Sequence, residues 1–231
     1  VQTSGSTHTY QQPLNNIVRI AYQTLAAALG GAQSIHACSY DEALCLPTDQ
    51  SILLSIRTQQ IAQLESGVTQ VADPLGGSYY VEYLTNEMEK RSWEYMNTVE
   101  KQGGLVACLE SGWIHREFQK AMMEYETKLA SGETPVVGVN VYTMEKEPYE
   151  VPLFRPNPNA VDLQRAKLEK LKSQRDNAEV ASALEEVREL TVRGENVMPG
   201  VMRAVKAYAT LGEIQGVWRK LYPLWRMPIG I

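Results

Sequence analysis

The sequence predicts an α/β fold in which strand–helix units come first and a mostly helical part follows. Strand-like and helix-like segments alternate over residues 1–64, which is typical of a parallel sheet, either open or closed into a barrel. Helical periodicity then dominates the C-terminal third. Only two strand–helix units are visible, and two strands cannot close a barrel or bury both faces of a sheet. The N-terminal region therefore requires more β structure than the chain contains.

Local signals define each element of the first 70 residues. Asn15 and Asn16 are N-cap candidates ahead of an apolar helical face, and Gly30-Gly31 stops that helix. Pro47-Thr48-Asp49 opens a second helix. The predicted order is a strand at 1–4, a helix from Asn15 to Gly30, a strand beginning at Gly30, and a helix from Pro47 through Leu64 that ends near Gly67.

The rest of the chain is predicted to be mainly helical. Asn86, with Glu89 at the spacing of a capping box, begins a long helix that ends at Gly103-Gly104. Four prolines make residues 148–160 an extended linker. The other predicted elements are a strand or extended arm at Tyr79–Tyr83, a helix at His115–Leu129, a strand at Pro135–Tyr142, two helices separated by Asp176, and final helices at Val201–Ala209 and Leu211–Leu221.

The overall composition argues against several classes of function. The chain has 231 residues, a net charge of −5 and a pI near 5.4, so no diffuse basic surface is available to bind nucleic acid. No apolar run approaches the roughly 20 residues that cross a bilayer, and no membrane contact is expected. The three cysteines form no CxxC pair, which favours a reducing compartment: the cytoplasm, or the mitochondrial matrix in a eukaryote.

Both predicted strands are unusually polar. One contains Gln2, Thr3 and Ser4, and the other contains Gln33, Ser34, His36, Cys38 and Ser39. The inward positions of an ordinary βα barrel carry bulky aliphatic side chains that fill its interior. Buried donors and acceptors need polar partners, so we expect water or a polar ligand to run along these strands.

Several motifs, taken in order and spacing, resemble the adenosylcobalamin-dependent acyl-CoA mutases of the methylmalonyl-CoA mutase type. They are QTSG at 2–5, NNIVR at 15–19, GGAQSIHACSYDEALCLPTD at 30–49, TQQIAQLESG at 58–67 and DPLGGSYYVEYLT at 73–85. The similarity continues through VGVNVY at 137–142 and LGEI at 211–214. Each motif is weak alone, but together they span nearly the whole chain.

The resemblance implies the last βα units of a TIM (β/α)8 barrel followed by a mostly helical extension. The pantetheine arm of coenzyme A would occupy the barrel axis, and cobalamin would lie across the C-terminal mouth. The implied regions are the last βα units of the CoA-binding barrel at 1–85, a helical extension with a short strand at 86–147, a proline-rich linker at 148–161 and C-terminal helices at 162–231.

The resemblance also implies roles for individual residues. The implied cofactor-binding residues are Gln2, Gly5, Cys38 and Glu42, of which Glu42 would hold the adenosyl ribose. The implied substrate-binding residues are Gln33 and Ser34 on the thioester arm and His36 in the pocket lining. Many family members carry Asn where this chain has Cys38, which weakens one ribose contact. Neither a catalytic residue nor a metal ligand is assigned.

Ordinary structural roles compete with these assignments. Adjacent carboxylates such as Asp41 and Glu42 usually cap a helix. Cys38 fits a small buried apolar residue. His36 also fits a buried core histidine whose hydrogen bonds are satisfied, and His8 is predicted to lie on the surface.

The expected function is a radical 1,2-rearrangement of a CoA thioester, of the methylmalonyl-CoA to succinyl-CoA type, by an oligomeric isomerase. The family's substrate-reading tyrosine and arginine, its catalytic histidine and its early barrel strands correspond to a region upstream of Val1, and no DxHxxG signature of a cobalamin module occurs. The expected partners are the N-terminal half of the barrel and a cobalamin-binding subunit, without which the chain would be inactive. Alternatives are a large subunit of the 2-hydroxyisobutyryl-CoA mutase type and a non-catalytic remnant or assembly protein that binds a mutase.

Overall fold

The computed structural model describes residues 1–147 and 150–226. The chain divides into two compact units, the first comprising residues 1–155 and the second beginning at Pro156. The finer division into four regions stays a prediction. Two of those regions, 148–161 and 162–231, include residues outside the described ones, namely 148–149 and 227–231.

Five helices make up most of the first unit: α1 (Asn15–Leu29), α2 (Asp49–Glu65), α3 (Tyr79–Lys101), α4 (Gly104–Glu110) and α5 (Trp113–Ser131). The helices predicted after Asn15 and after Thr48 are confirmed. Thr48 caps α2, since its side chain accepts a hydrogen bond from the Ser51 N–H. Helices α1 and α2 enclose a small core built around Ile20, Ala37 and Tyr40.

The two predicted strands are reduced to one parallel bridge between Gln2 and His36. The Thr3 N–H donates to the His36 carbonyl oxygen at 3.0 Å, and the His36 N–H donates to that of Val1 at 2.8 Å. Among the described residues no longer strand occurs. A pair of segments with no further strand on either side has few ladder bonds to hold it extended. The bridge is parallel, as expected of strands joined through a helix.

The strands predicted at Tyr79–Tyr83 and Pro135–Tyr142 are wrong. The first forms the opening turns of α3. There the carboxylate of Glu82 accepts a hydrogen bond from the Gly77 N–H, and its negative charge interacts favourably with the positive, N-terminal end of the helix dipole. The second is a closed turn with a bridge between Val137 and Val141. Helix α4 has no counterpart in the prediction.

The turn at 135–142 is held together by the side chain of Asn140. Its Oδ1 accepts from the Val136 N–H at 2.7 Å, while its amide donates to the carbonyl oxygens of Leu129 and Thr134 at 2.9 Å each. These local bonds replace the ladder that a strand would need. The segment therefore closes on itself.

The second unit contains α6 (Ala160–Gln174), α7 (Asn177–Arg193), α8 (Met198–Lys206) and α9 (Leu211–Leu221). Its core is formed by Ala183, Ala204 and Ile214. Asp176 separates α6 from α7 and caps α7 through the N–H groups of Ala178 and Glu179, as its position between the two predicted helices suggests. No helix within residues 1–147 and 150–226 combines the length and the apolar character needed to span a membrane.

Candidate functional site

The bridge between Gln2 and His36 brings two distant segments of the chain together at one cavity. The cavity measures about 440 Å³ and lies between these segments and helix α2. Its polar lining includes Gln2, His36, Cys38, Ser39, Glu42, Ser55 and Gln59. Four of the seven residues assigned to a site by the sequence therefore line the same cavity, and Gly5 contacts one of those four.

Cys38 is tied to the first segment through both its backbone and its thiol. Its N–H donates to the Thr3 hydroxyl at 2.8 Å, and its thiol donates to the Thr3 carbonyl oxygen at 3.3 Å. The Gln2 amide approaches the sulfur at 3.8 Å. Burial raises the pKa of the Cys38 thiol, and the neighbouring Glu42 raises it further. Cys38 is thus a protonated thiol that fixes the junction between the two segments.

Glu42 lies in the turn after the second segment, and its carboxylate is placed directly above Gly5. A Cβ at position 5 would collide with Glu42 Oε1, so only glycine leaves room for this arrangement. The Glu42 side chain is 40% exposed. Its carboxylate therefore packs against the backbone of Gly5 while remaining open to a ligand.

Asp41 and Glu42 have different roles although they are adjacent. Asp41 is buried, and its Oδ2 accepts from the N–H and the hydroxyl of Thr48 at 3.0 and 3.2 Å. It thereby orients the residue that caps α2. Glu42 caps no helix among the described residues. The cap interpretation therefore applies to Asp41, and Glu42 is left free for binding.

His8 is buried, and its prediction as a surface residue is wrong. Its side chain is 0% exposed, and its Nδ1 lies 3.7 Å from Glu42 Oε2. Neither ring nitrogen has a hydrogen-bond partner. Burial lowers the pKa of His8, and Arg19 lowers it further, while Glu42 acts in the opposite direction. The imidazole is therefore neutral at pH 7.

The loop that carries His8 is fastened by Asn16, which is completely buried. Asn16 Oδ1 accepts from the Thr9 N–H at 3.1 Å and from Arg19 at 2.7 Å. Its amide donates to the carbonyl oxygens of Thr9 and Tyr40 at 2.8 and 2.9 Å. The expected N-cap role of Asn15 and Asn16 is wrong, since α1 has no side-chain cap. Asn16 instead joins the His8 loop to the turn that carries Glu42.

Gln33 and Ser34 lie at an exposed bend before the bridge, outside the lining of the cavity. His36 is also exposed, at the edge of the cavity. The roles assigned to these three residues stay predictions. His8 and Asn16 were missed as site residues because their importance comes from burial and from long-range contacts. The one local signal is the second Asn of the pair at 15–16, a residue type that is also typical of a helix N-cap.

Comparisons with known proteins match nearly the whole chain. The family model described as Methylmalonyl-CoA mutase matches residues 1–223. The chain is 38% identical over 222 residues to a 2-hydroxyisobutanoyl-CoA mutase large subunit from Aquincola tertiaricarbonis, covering 94% of this chain and 40% of that protein. It is 40% identical over 222 residues to a methylmalonyl-CoA mutase from Cereibacter sphaeroides, covering 96% and 31%. It is 38% identical over 222 residues to the mitochondrial methylmalonyl-CoA mutase of Homo sapiens, covering 96% and 30%. The chain thus spans between 30% and 40% of the length of these three relatives.

Proposed function

The chain belongs to the methylmalonyl-CoA mutase family, and on that premise we propose that it forms the last βα units of a TIM barrel in an adenosylcobalamin-dependent acyl-CoA mutase. The single observation that carries this proposal is the parallel bridge between Gln2 and His36 beside a polar cavity. Parallel pairing across helix α1 is the geometry of a βα unit. Further strands, contributed by the rest of the protein, would complete the barrel.

The residues around Glu42 fit the ribose of an adenosyl group. A carboxylate accepts hydrogen bonds from two neighbouring hydroxyls, and Glu42 is half-exposed above a residue that has no Cβ to block it. Gln2 and Cys38 line the same cavity and would contact the cofactor beside it. When bound, adenosylcobalamin supplies the radical that starts the rearrangement, by homolysis of its cobalt–carbon bond. The chain itself supplies one wall of the cavity.

Gln33, Ser34 and His36 would contact the acyl-CoA substrate. Their side chains are exposed and polar, and they precede or form the bridge at the cavity edge. A thioester arm presents amide and carbonyl groups, which such side chains can bind. In this proposal the chain binds and orients the thioester, and no residue of it acts as a catalytic acid or base.

The partners in the proposal are the N-terminal half of the barrel and a cobalamin-binding subunit. None of the described residues of α3 and α5 is fully buried, and both helices expose large apolar side chains. Among these are Tyr79, Tyr83, Met88, Phe118 and Met122. Exposed apolar patches of this kind mark protein contacts. The proposed compartment is the cytoplasm, or the mitochondrial matrix in a eukaryote.

Methylmalonyl-CoA is the default substrate in this proposal, and 2-hydroxyisobutyryl-CoA is the alternative. The relatives include both kinds of mutase: the one from Aquincola tertiaricarbonis is 38% identical and the methylmalonyl-CoA mutase from Cereibacter sphaeroides is 40% identical, so identity does not favour the alternative. The reaction is the same in type for both substrates, because each requires a 1,2-shift within a CoA thioester.

The test is an assay of the complete protein that contains this chain, supplied with adenosylcobalamin and its cobalamin-binding subunit. Each of the two thioesters is incubated separately, and the rearranged isomer is measured by chromatography and mass spectrometry. Gln33→Leu should raise KM for the thioester about tenfold while the affinity for adenosylcobalamin stays the same. Gln63→Leu, an exposed change on α2, is the matched control. An assembled protein that binds neither CoA nor cobalamin would overturn the proposal.

A further inference from the structure

His8 and Glu42 lie close together but form no hydrogen bond, and this arrangement suggests a function for the pair. A fully buried imidazole normally has a hydrogen-bond partner for each nitrogen, because an unpaired buried polar group is costly. His8 has none, yet Glu42 Oε2 lies only 3.7 Å from its Nδ1. A small rotation of the Glu42 side chain would bring these two atoms to hydrogen-bond distance.

The two partners differ in how firmly they are held. The His8 N–H donates to the Gly5 carbonyl oxygen at 3.0 Å, and the next residue is fastened by Asn16 and Arg19. The Glu42 side chain is 40% exposed, and its terminal atoms are free to turn about its own bonds. His8 is therefore the fixed member of the pair and Glu42 the adjustable one.

We propose that His8 is a positioning residue, whose Nδ1–H donates to Glu42 Oε2 and directs the carboxylate toward the cis-diol of a bound ribose. This inference rests on the proposed function, because it assigns the ligand of Glu42 to the adenosyl group. His8 touches neither the ligand nor the reacting atoms. It acts by holding Glu42 in one orientation above Gly5.

The charges around His8 favour a neutral donor. Arg19 faces the imidazole and disfavours its protonation, and burial disfavours it more strongly, while Glu42 is the opposing charge. A neutral imidazole donates one hydrogen bond without cancelling the charge of the carboxylate. Glu42 thus remains an anion, which accepts more strongly from ribose hydroxyls than a neutral group does.

The first experiment follows the imidazole of His8 by proton NMR during a pH titration of the 231-residue chain. Glu42→Gln removes the charge that raises the pKa of His8, so the pKa should fall further in this variant. Glu65→Gln, at the end of α2, is the matched control and should leave the titration unchanged. An identical His8 titration in the parent chain and in Glu42→Gln would overturn the inference.

The second experiment measures cobalamin affinity in the complete protein with its cobalamin-binding subunit. His8→Leu should weaken adenosylcobalamin binding about three- to tenfold, the range expected for one neutral hydrogen bond. It should leave hydroxocobalamin, which has no adenosyl ribose, unaffected. His8→Asn places an amide N–H near the position of Nδ1 and should restore most of the loss. A loss that His8→Asn does not restore, or an equal loss for both cobalamins, would mean a purely structural role and overturn the inference.

The same measurements separate this inference from the proposed function. If Glu42→Gln binds adenosylcobalamin as well as the parent protein does, the ribose assignment fails and takes the inference with it. If Glu42→Gln weakens binding and His8→Leu does not, the ribose assignment stands and only the role of His8 fails.

Discussion

The carboxylate of Glu42 occupies the space that a Cβ of any other residue at position 5 would fill. Gly5 and Glu42 come from segments more than thirty residues apart, and the bridge between Gln2 and His36 brings them together. Gly5 and Glu42, which their motifs assign to the cofactor, therefore also restrict each other's position. Each determines where the other can lie.

Gly5→Ala should displace the Glu42 carboxylate without unfolding the chain. The clash involves the end of a flexible side chain, so the free energy of unfolding should change by less than about 1 kcal/mol. The affinity of the complete protein for adenosylcobalamin should fall relative to that for hydroxocobalamin. Gly212→Ala, where an added Cβ meets no neighbour, is the control. Equal affinities in the Gly5→Ala and parent proteins would show that Glu42 does not depend on Gly5.

The chain should lose stability as the pH falls below about 6.5, and His8 should account for part of the loss. The folded state lowers the pKa of His8 below 6.5, so the unfolded state binds the proton more readily in that range. The destabilisation caused by His8 therefore begins as the pH falls through 6.5, and it grows until His8 is protonated in the folded chain as well. Calorimetric Tm values between pH 8 and pH 5 should fall less steeply for His8→Leu than for the parent chain. An equal fall of Tm with pH in His8→Leu and in the parent chain would contradict this expectation.

Asn16→Ala should be strongly destabilising. The variant leaves the backbone groups of Thr9 and Tyr40 without their buried partner, and the cost should be about 3 kcal/mol. Asn15→Ala, which removes a single bond to Gln12, is the matched control and should cost less than about 1 kcal/mol. Urea denaturation of both variants measures the difference. Similar midpoints for the two variants would mean that Asn16 does not hold the loop.

Cys45 should be alkylated before the other two cysteines. Cys38 and Cys108 are buried, whereas Cys45 is partly exposed. Burial also raises the pKa of Cys38, which reduces its thiolate fraction. Iodoacetamide treatment of the folded chain, followed by peptide mass spectrometry, gives the order. Early labelling of Cys38 would mean that the junction with Thr3 opens readily.

Glu213→Gln should destabilise the second unit near neutral pH and have little effect at very low pH. Arg175 forms a bidentate pair with Glu213 and lowers its pKa to about 2. The stabilisation from this ion pair is present above about pH 4.5, and it is lost as the pH falls toward about 2. The expected loss at pH 7 is about 2 kcal/mol. Glu185→Gln, which breaks an exposed pair with Arg188, is the control and should have little effect at either pH.

The helices were predictable because their signals are local. Thr48 caps α2, and Gly30 follows the last residue of α1, as the sequence indicates. The extended segments were not, because a strand requires neighbours that lie far away in sequence. The tyrosines at 79–83 favour a strand by residue type, but Glu82 accepting from the Gly77 N–H favours a helix start. A hydrogen bond between residues close in sequence thus decided between two acceptable local structures.

The same distinction holds for the site: residues within a sequence motif were predictable, whereas a residue whose role depends on long-range packing was not. The spacing of the motifs identified Gln2, Cys38 and Glu42, which the structure brings to one cavity. His8 was missed because it stands between Thr7 and Thr9 in a polar stretch, and nothing local signals that its ring is buried. Burial of a single polar residue depends on the packing of the whole unit.

The segment 135–147 is hydrogen-bonded to Gln12 and Arg19, which lie more than a hundred residues earlier in the chain. Arg19 donates to the Val137 carbonyl oxygen at 2.7 Å, and the Gln12 N–H donates to the Glu147 carboxylate at 3.0 Å. During translation both early residues leave the ribosome long before their partners exist. Their hydrogen bonds can therefore form only after residues 137–147 have been synthesised. Until then the loop that carries His8 is held by earlier residues, Asn16 and Arg19 among them.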